Sequence, residues 1–176
     1  MKKLLCLLAL VITCSASNAQ DQDKAALLSG LTLSDFVNGF NLNAKGDGEP
    51  QIDGRACEQR PIPNTKKKSF SCRVGAFSFV HGVIQDGGAL QHVSIDGKPE
   101  TGDDMHGYRR AAGYMVRSAK GGSILGVGTV VADLLGAAAK AKGKIQERRQ
   151  YGLSLSAGRD EFGWSFGAEP AKKAGG

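Results

Sequence analysis

The stretch 69–98, SFSCRVGAFSFVHGVIQDGGALQHVSIDGK, constrains this chain more than any other. Phe70, Cys72 and Val74 alternate with Ser71, Arg73 and Gly75, and Phe77 and Phe79 continue the period of two in shifted phase. That is the pattern of a strand with a bulge near Gly75 and Ala76. Asp86-Gly87-Gly88 then separates Val83 and Ile84 from Leu90, Val93 and Ile95. Such glycines supply the positive φ a tight turn needs, so the segment folds back as a long antiparallel hairpin, with a second turn at Asp96-Gly97. A lone hairpin cannot shield its apolar face from water, and the rest of the chain has to supply the cover.

Part of that cover is a second hairpin. Tyr151, Leu153 and Leu155 alternate with Gly152, Ser154 and Ser156, residues 157–160 turn, and Phe162, Trp164 and Phe166 alternate with Gly163, Ser165 and Gly167. The short polar stretch 51–59, leading into Cys57, suits an edge strand.

The remainder reads as helix. Thr32 caps a first helix, with Asp35 three residues on and Leu33, Phe36, Val37 and Phe40 on one face; Gly46, Gly48 and Pro50 forbid its continuation. Asp103 and Asp104 cap a second, in which Tyr108, Ala111, Ala112, Met115, Val116 and Ala119 lie opposite Arg109, Arg110, Arg117 and Lys120. Gly121-Gly122 stops it and Ser123 caps a third over 124–139, apolar on nearly every side except at Thr129 and Asp133. A helix without a polar face is expected at the buried centre of its domain, here on the sheet face that carries Trp164, Phe166 and some of Phe70, Phe77 and Phe79. The order of elements predicts an α+β fold: an antiparallel sheet of four to five strands, in two hairpins, packed by about three helices.

The chain opens MKKLLCLLALVITCSASNA, with two lysines, an apolar run over 4–12, then small and polar residues to Ala19. This is the arrangement of a secretory signal peptide, 1–19, and the run is well short of the roughly 20 residues that span a bilayer. Cys14 would be the lipidated residue of a lipoprotein, although Thr13 precedes it where a smaller residue is expected. Removing the signal takes Lys2 and Lys3 with it and lowers the formal charge from +6 to +4. One α+β domain over 20–169 follows, with a disordered tail at 170–176. In the periplasm or outside the cell, the two cysteines that remain, Cys57 and Cys72, pair as a disulfide.

Chemistry is sparse. Neither C-x-x-C nor H-x-x-x-H accompanies the cysteines, and no spacing forces His81, His92 and His106 into a zinc site with Asp103 or Asp104, so no metal is expected. Gly126-x-Gly128 follows a helix instead of a strand and lacks the third glycine of a dinucleotide loop. The segment 152–156, Gly-Leu-Ser-Leu-Ser, lacks the last glycine of a nucleophile elbow. No catalytic residue and no cofactor are therefore assigned. Basic residues gather at Lys66, Lys67 and Lys68 and over 140–149, without interleaved aromatics, which argues against nucleic acid as a partner.

These absences favour an exported, non-enzymatic protein-binding module, an inhibitor or immunity-type protein that blocks an enzyme or toxin by occlusion. Its expected contact with another envelope protein is the tethered loop 60–68, through Arg60, Lys66, Lys67 and Lys68. An envelope or membrane-associated protein using 124–139 and its basic flank is the alternative. A small hydrolase with a site that no motif reveals is a second.

Overall fold

The computed structural model describes residues 28, 30–120, 124–141 and 143–171; the proposed signal peptide, Cys14, the 121–123 helix break and residues 172–176 lie outside them. In chain order the described residues form helix α1 (Leu33–Gly46), strands β1 (Glu58–Pro61), β2 (Lys68–Val74), β3 (Ser78–Ile84) and β4 (Leu90–Gly97), helices α2 (Gly102–Lys120) and α3 (Val127–Ala141), and strands β5 (Gln146–Gln150), β6 (Leu153–Arg159) and β7 (Trp164–Pro170). The fold is α+β. All seven strands make one antiparallel sheet in the order β1-β2-β3-β4-β7-β6-β5.

Seven strands replace the expected four to five for three local reasons. What reads as a bulge near Gly75 is a turn: Gly75 takes φ +61°, and the chain reverses so that Val74 faces Ser78 and β2 pairs along β3. The one register slip in that region falls further on, between Val83 and Ile84. The edge strand expected over 51–59 begins after Cys57; before it, Ile52 bridges to Val74 and Gly54–Ala56 form one turn of 3-10 helix. The basic segment after α3 is itself a strand, β5, paired with β6 from Gln146↔Ala157 to Gln150↔Leu153. The last hairpin also turns later than expected, with β6 running through Arg159 and Asp160 accepting the amides of Phe162 and Gly163.

One sheet face carries the core. Phe70, Cys72, Val80, Val93, Ile95, Leu153, Leu155 and Phe166 are all buried there, with Trp164 and Phe77 packed at its margin, while Phe79 lies on the other face, 46% exposed. α2 sits against β4 and β7, α3 against β5 and β6, and α1 packs on α2. The helix starts are capped as their residues dictate. Thr32 Oγ1 accepts the Asp35 amide at 3.2 Å while the Asp35 carboxylate accepts that of Thr32 at 3.3 Å. In α2 the cap is Thr101, whose Oγ1 accepts the Asp104 amide, and Asp104 returns its carboxylate to the Thr101 amide at 3.0 Å.

The central helix is α2, not α3. Tyr108 of α2 is fully buried and donates its hydroxyl to the Ile95 carbonyl at 2.9 Å. The close seat depends on Gly97, where a Cβ would stand 2.9 Å from the Tyr108 ring. α3 buries Val127, Val130, Val131, Leu134, Leu135 and Ala138 but turns Gly128, Thr129 and Asp133 to solvent. Its sequence is apolar all round because its other faces are glycine and alanine, and exposing so little apolar surface costs little.

Candidate functional site

The disulfide joins Cys57, just before β1, to Cys72 in β2, with 2.04 Å between the sulfurs and 4.3 Å between the Cα atoms. It is compatible with an oxidising compartment. β1 then pairs with β2 from Glu58↔Ser71 to Pro61↔Lys68. The turn between them is closed by Ile62 N–H to the Lys67 carbonyl at 3.0 Å, with Asn64 in the left-handed region at φ +59°.

This hairpin gathers the four expected contact cations without making them one patch. Arg60 pairs with Glu58 at 2.8 Å, both well exposed. Lys66 reaches Asp86 of the β3–β4 turn at 3.5 Å, and Lys67 donates to Gln91 Oε1 at 2.7 Å. Lys68 stands opposite Ile84 in the β2–β3 ladder. The exposed ion pairs add little stability.

The solvent-facing side of the sheet brings two histidines together. His81 lies between Ser71 and Ser94 of the flanking strands, and His92 is one step along β4, opposite Val83. His81 Nε2 lies 3.2 Å from Asp96 Oδ2; Asp96, expected in a turn, belongs to β4. Partial burial holds the His92 imidazole below its ordinary pKa, with Glu169 opposing and His81 reinforcing that shift. His106 is on α2, away from both. Among the described residues no group of three His, Cys, Asp or Glu is placed to hold a metal. Strand alternation carried the signal for the His81–Asp96 pair, since both residues fall on the outward phase.

A cavity of about 500 Å³ opens beside α2, between its first turns, the Glu49-Pro50 segment and the β2–β3 turn. Val74, Phe77, Ala111 and Tyr114 give it apolar walls, and Glu49, Asp103 and Asp104 an acidic rim. Next to it Tyr114 donates to Asp47 Oδ2 at 2.7 Å and accepts from Arg110 Nε at 3.1 Å; Arg110 also pairs with Asp47 and Glu49. Burial and the bond to Asp47 push the Tyr114 hydroxyl up to about 12, and the same bond holds the Asp47 carboxyl below the usual range. Ser78 contributes to the wall; it is 2% exposed, and its hydroxyl has no hydrogen-bond partner among the described residues. Nothing in the sequence pattern marks this cavity, because its residues come from three separate segments.

Asp133 has an ordinary partner in Arg148 of β5 at 3.5 Å. Among the described residues no helix is long and apolar enough to cross a membrane. Compared with protein-family models, curated proteins and solved structures, the chain matches none.

Proposed function

We propose that the protein is an exported, non-enzymatic binding module that docks another envelope protein on its β1–β2 hairpin and acts by occlusion, as inhibitors and immunity-type proteins do. One observation carries the reading: β1 is a four-residue edge strand, exposed along its length, that a disulfide pins from the residue just before it. An edge strand offers unpaired backbone groups to a partner strand, and one held in place before contact spares the ordering cost of binding. Lys66, Lys67 and Lys68 at its far end supply positive charge that speeds encounter with an acidic partner.

The test is affinity capture of the tagged protein from envelope extract, repeated with Lys66, Lys67 and Lys68 changed to serine. The expected result is one stoichiometric protein partner that the triple variant loses. Retention on liposomes without a protein partner would put the membrane-associated reading in its place. Hydrolytic turnover by the purified protein would end the binding-module reading altogether.

A further inference from the structure

We propose that β5 is a self-pairing edge: two copies of the chain join antiparallel about Arg148 and merge their sheets into one. β5 is the edge opposite β1, and the inference does not rest on the hairpin reading.

A strand at the end of a sheet has backbone amides and carbonyls open to another strand on its free side. β5 has β6 on one side, and the sheet ends on the other. Its sequence, Gln-Glu-Arg-Arg-Gln, selects the partner. In an antiparallel pair, residues directly opposite each other share a face, so only registers that match the faces are open to a second copy. Setting Arg148 against Arg148 of the second copy places Glu147 opposite its Arg149, twice over by symmetry, and Gln146 opposite its Gln150. Sliding to the next face-matched register centres the pair on Glu147 or on Arg149 and puts like charges directly opposite.

The pairing with β6 fixes which side chains share a face. Arg148 stands opposite Leu155, which is fully buried, and so belongs to the helix-bearing face. Glu147 and Arg149 stand opposite Ser156 and Ser154 on the open face. Both are exposed, and neither is in an ion pair among the described residues. The two Arg148 side chains also meet across the axis, but each has Asp133 of its own α3 at 3.5 Å. The interface charges, Asp133 and Glu147 against Arg148 and Arg149, therefore sum to zero. β1 repeats the Glu-x-Arg spacing, yet Glu58 and Arg60 are already paired with each other at 2.8 Å.

α3 leaves room for the second copy. It lies over both β5 and β6, so with strands about 4.8 Å apart the α3 helices of the two copies stand about 10 Å from each other, near the 8–10 Å of packed helices. Its exposed positions Gly128, Thr129 and Asp133 carry short side chains or none.

Sedimentation of the oxidised protein over a concentration series should show a monomer–dimer equilibrium. Exchange of the β5 amides that do not bond to β6 should slow as concentration rises, while exchange at β1 stays constant. Glu147→Arg or Arg149→Glu puts like charges opposite at both symmetric contacts and should weaken the dimer about tenfold or more. Mixing those two variants restores opposite charges at both contacts and should recover a dimer, which no loss of folding can imitate. The serine triple variant of the lysine turn should dimerise as the unaltered protein does. A protein that stays monomeric at millimolar concentration, a variant mixture that stays monomeric, or a dimer that slows exchange at β1 instead would each overturn the proposal. Slowing at β5 only when envelope extract is added would give the edge to a different protein and overturn it as well. None of these outcomes bears on the partner captured at the hairpin.

Discussion

The two edges of the sheet are held by different means. β1 is fixed by a covalent bond, Cys57 to Cys72, and packs chiefly on β2. β5 has no such bond; it lies under α3, with Arg148 paired to Asp133 at 3.5 Å and both side chains about half exposed. The strands themselves are alike. Glu-Gln-Arg-Pro and Gln-Glu-Arg-Arg-Gln offer the core no buried side chain. The difference therefore lies in what surrounds each edge: where a helix lies across the strand, pairing and an ion pair hold it, and where the strand leans on one neighbour, a disulfide does.

The largest test of this comparison strikes the seam between the two ends. Phe166, fully buried in β7, stands between β4 and β6, and Phe166→Ala should cost about 3–5 kcal/mol and lower the denaturant midpoint in one transition that includes both edges. Two separated transitions would mean that the ends do not share a core. Next comes the disulfide: replacing Cys57 and Cys72 by alanine removes a closure between residues 15 apart, worth about 3 kcal/mol in the chain-entropy model. Hydrogen exchange should then speed at β1 and leave β5 as it was, and equal acceleration at both edges would erase the distinction. The smallest effect belongs to Asp133→Asn, which should cost roughly 0.2–1 kcal/mol, fade at high salt and loosen β5 alone. A loss as large as that of the disulfide would show the ion pair, not the helix above it, to be the tether.

The same contrast explains what the sequence disclosed. β2, β6 and β7, and β4 from Val93 onward, bury apolar residues at every second position, and these can be read. β1 and β5 lie at the rim, where burial imposes no alternation, and neither Gln59 nor Arg149 signals a strand. The β2–β3 turn reads as a bulge in the sequence because a reversal at Gly75 shifts the phase of the period-two pattern much as a bulge would. α3 misled for the opposite reason: Gly128, Ala132 and Gly136 look apolar in a sequence yet leave little to bury. Of the candidate sites, the disulfide was accessible because compartment and cysteine number suffice to argue it. Alternation put His81 and His92 on adjacent strands, but the cavity stayed hidden, since Glu49, Phe77, Asp103 and Tyr114 converge only through the packing of α2 on the sheet.

The strand order has a consequence for how the protein assembles in time. β1 to β4 form a meander of near neighbours, and β5 to β7 form another, but the two join only through β4 and β7. Ile95 faces Phe166 across about 70 residues of intervening chain that includes both α2 and α3. Closing so long a loop is slow relative to forming a hairpin, and no contact across the seam rewards it until β7 is present. A chain that emerges from its N-terminus therefore waits for its last strand. Until β7 arrives, the β4 edge around Val93 and Ile95 has no neighbour on that side, and the protein is most open to mispairing in that interval.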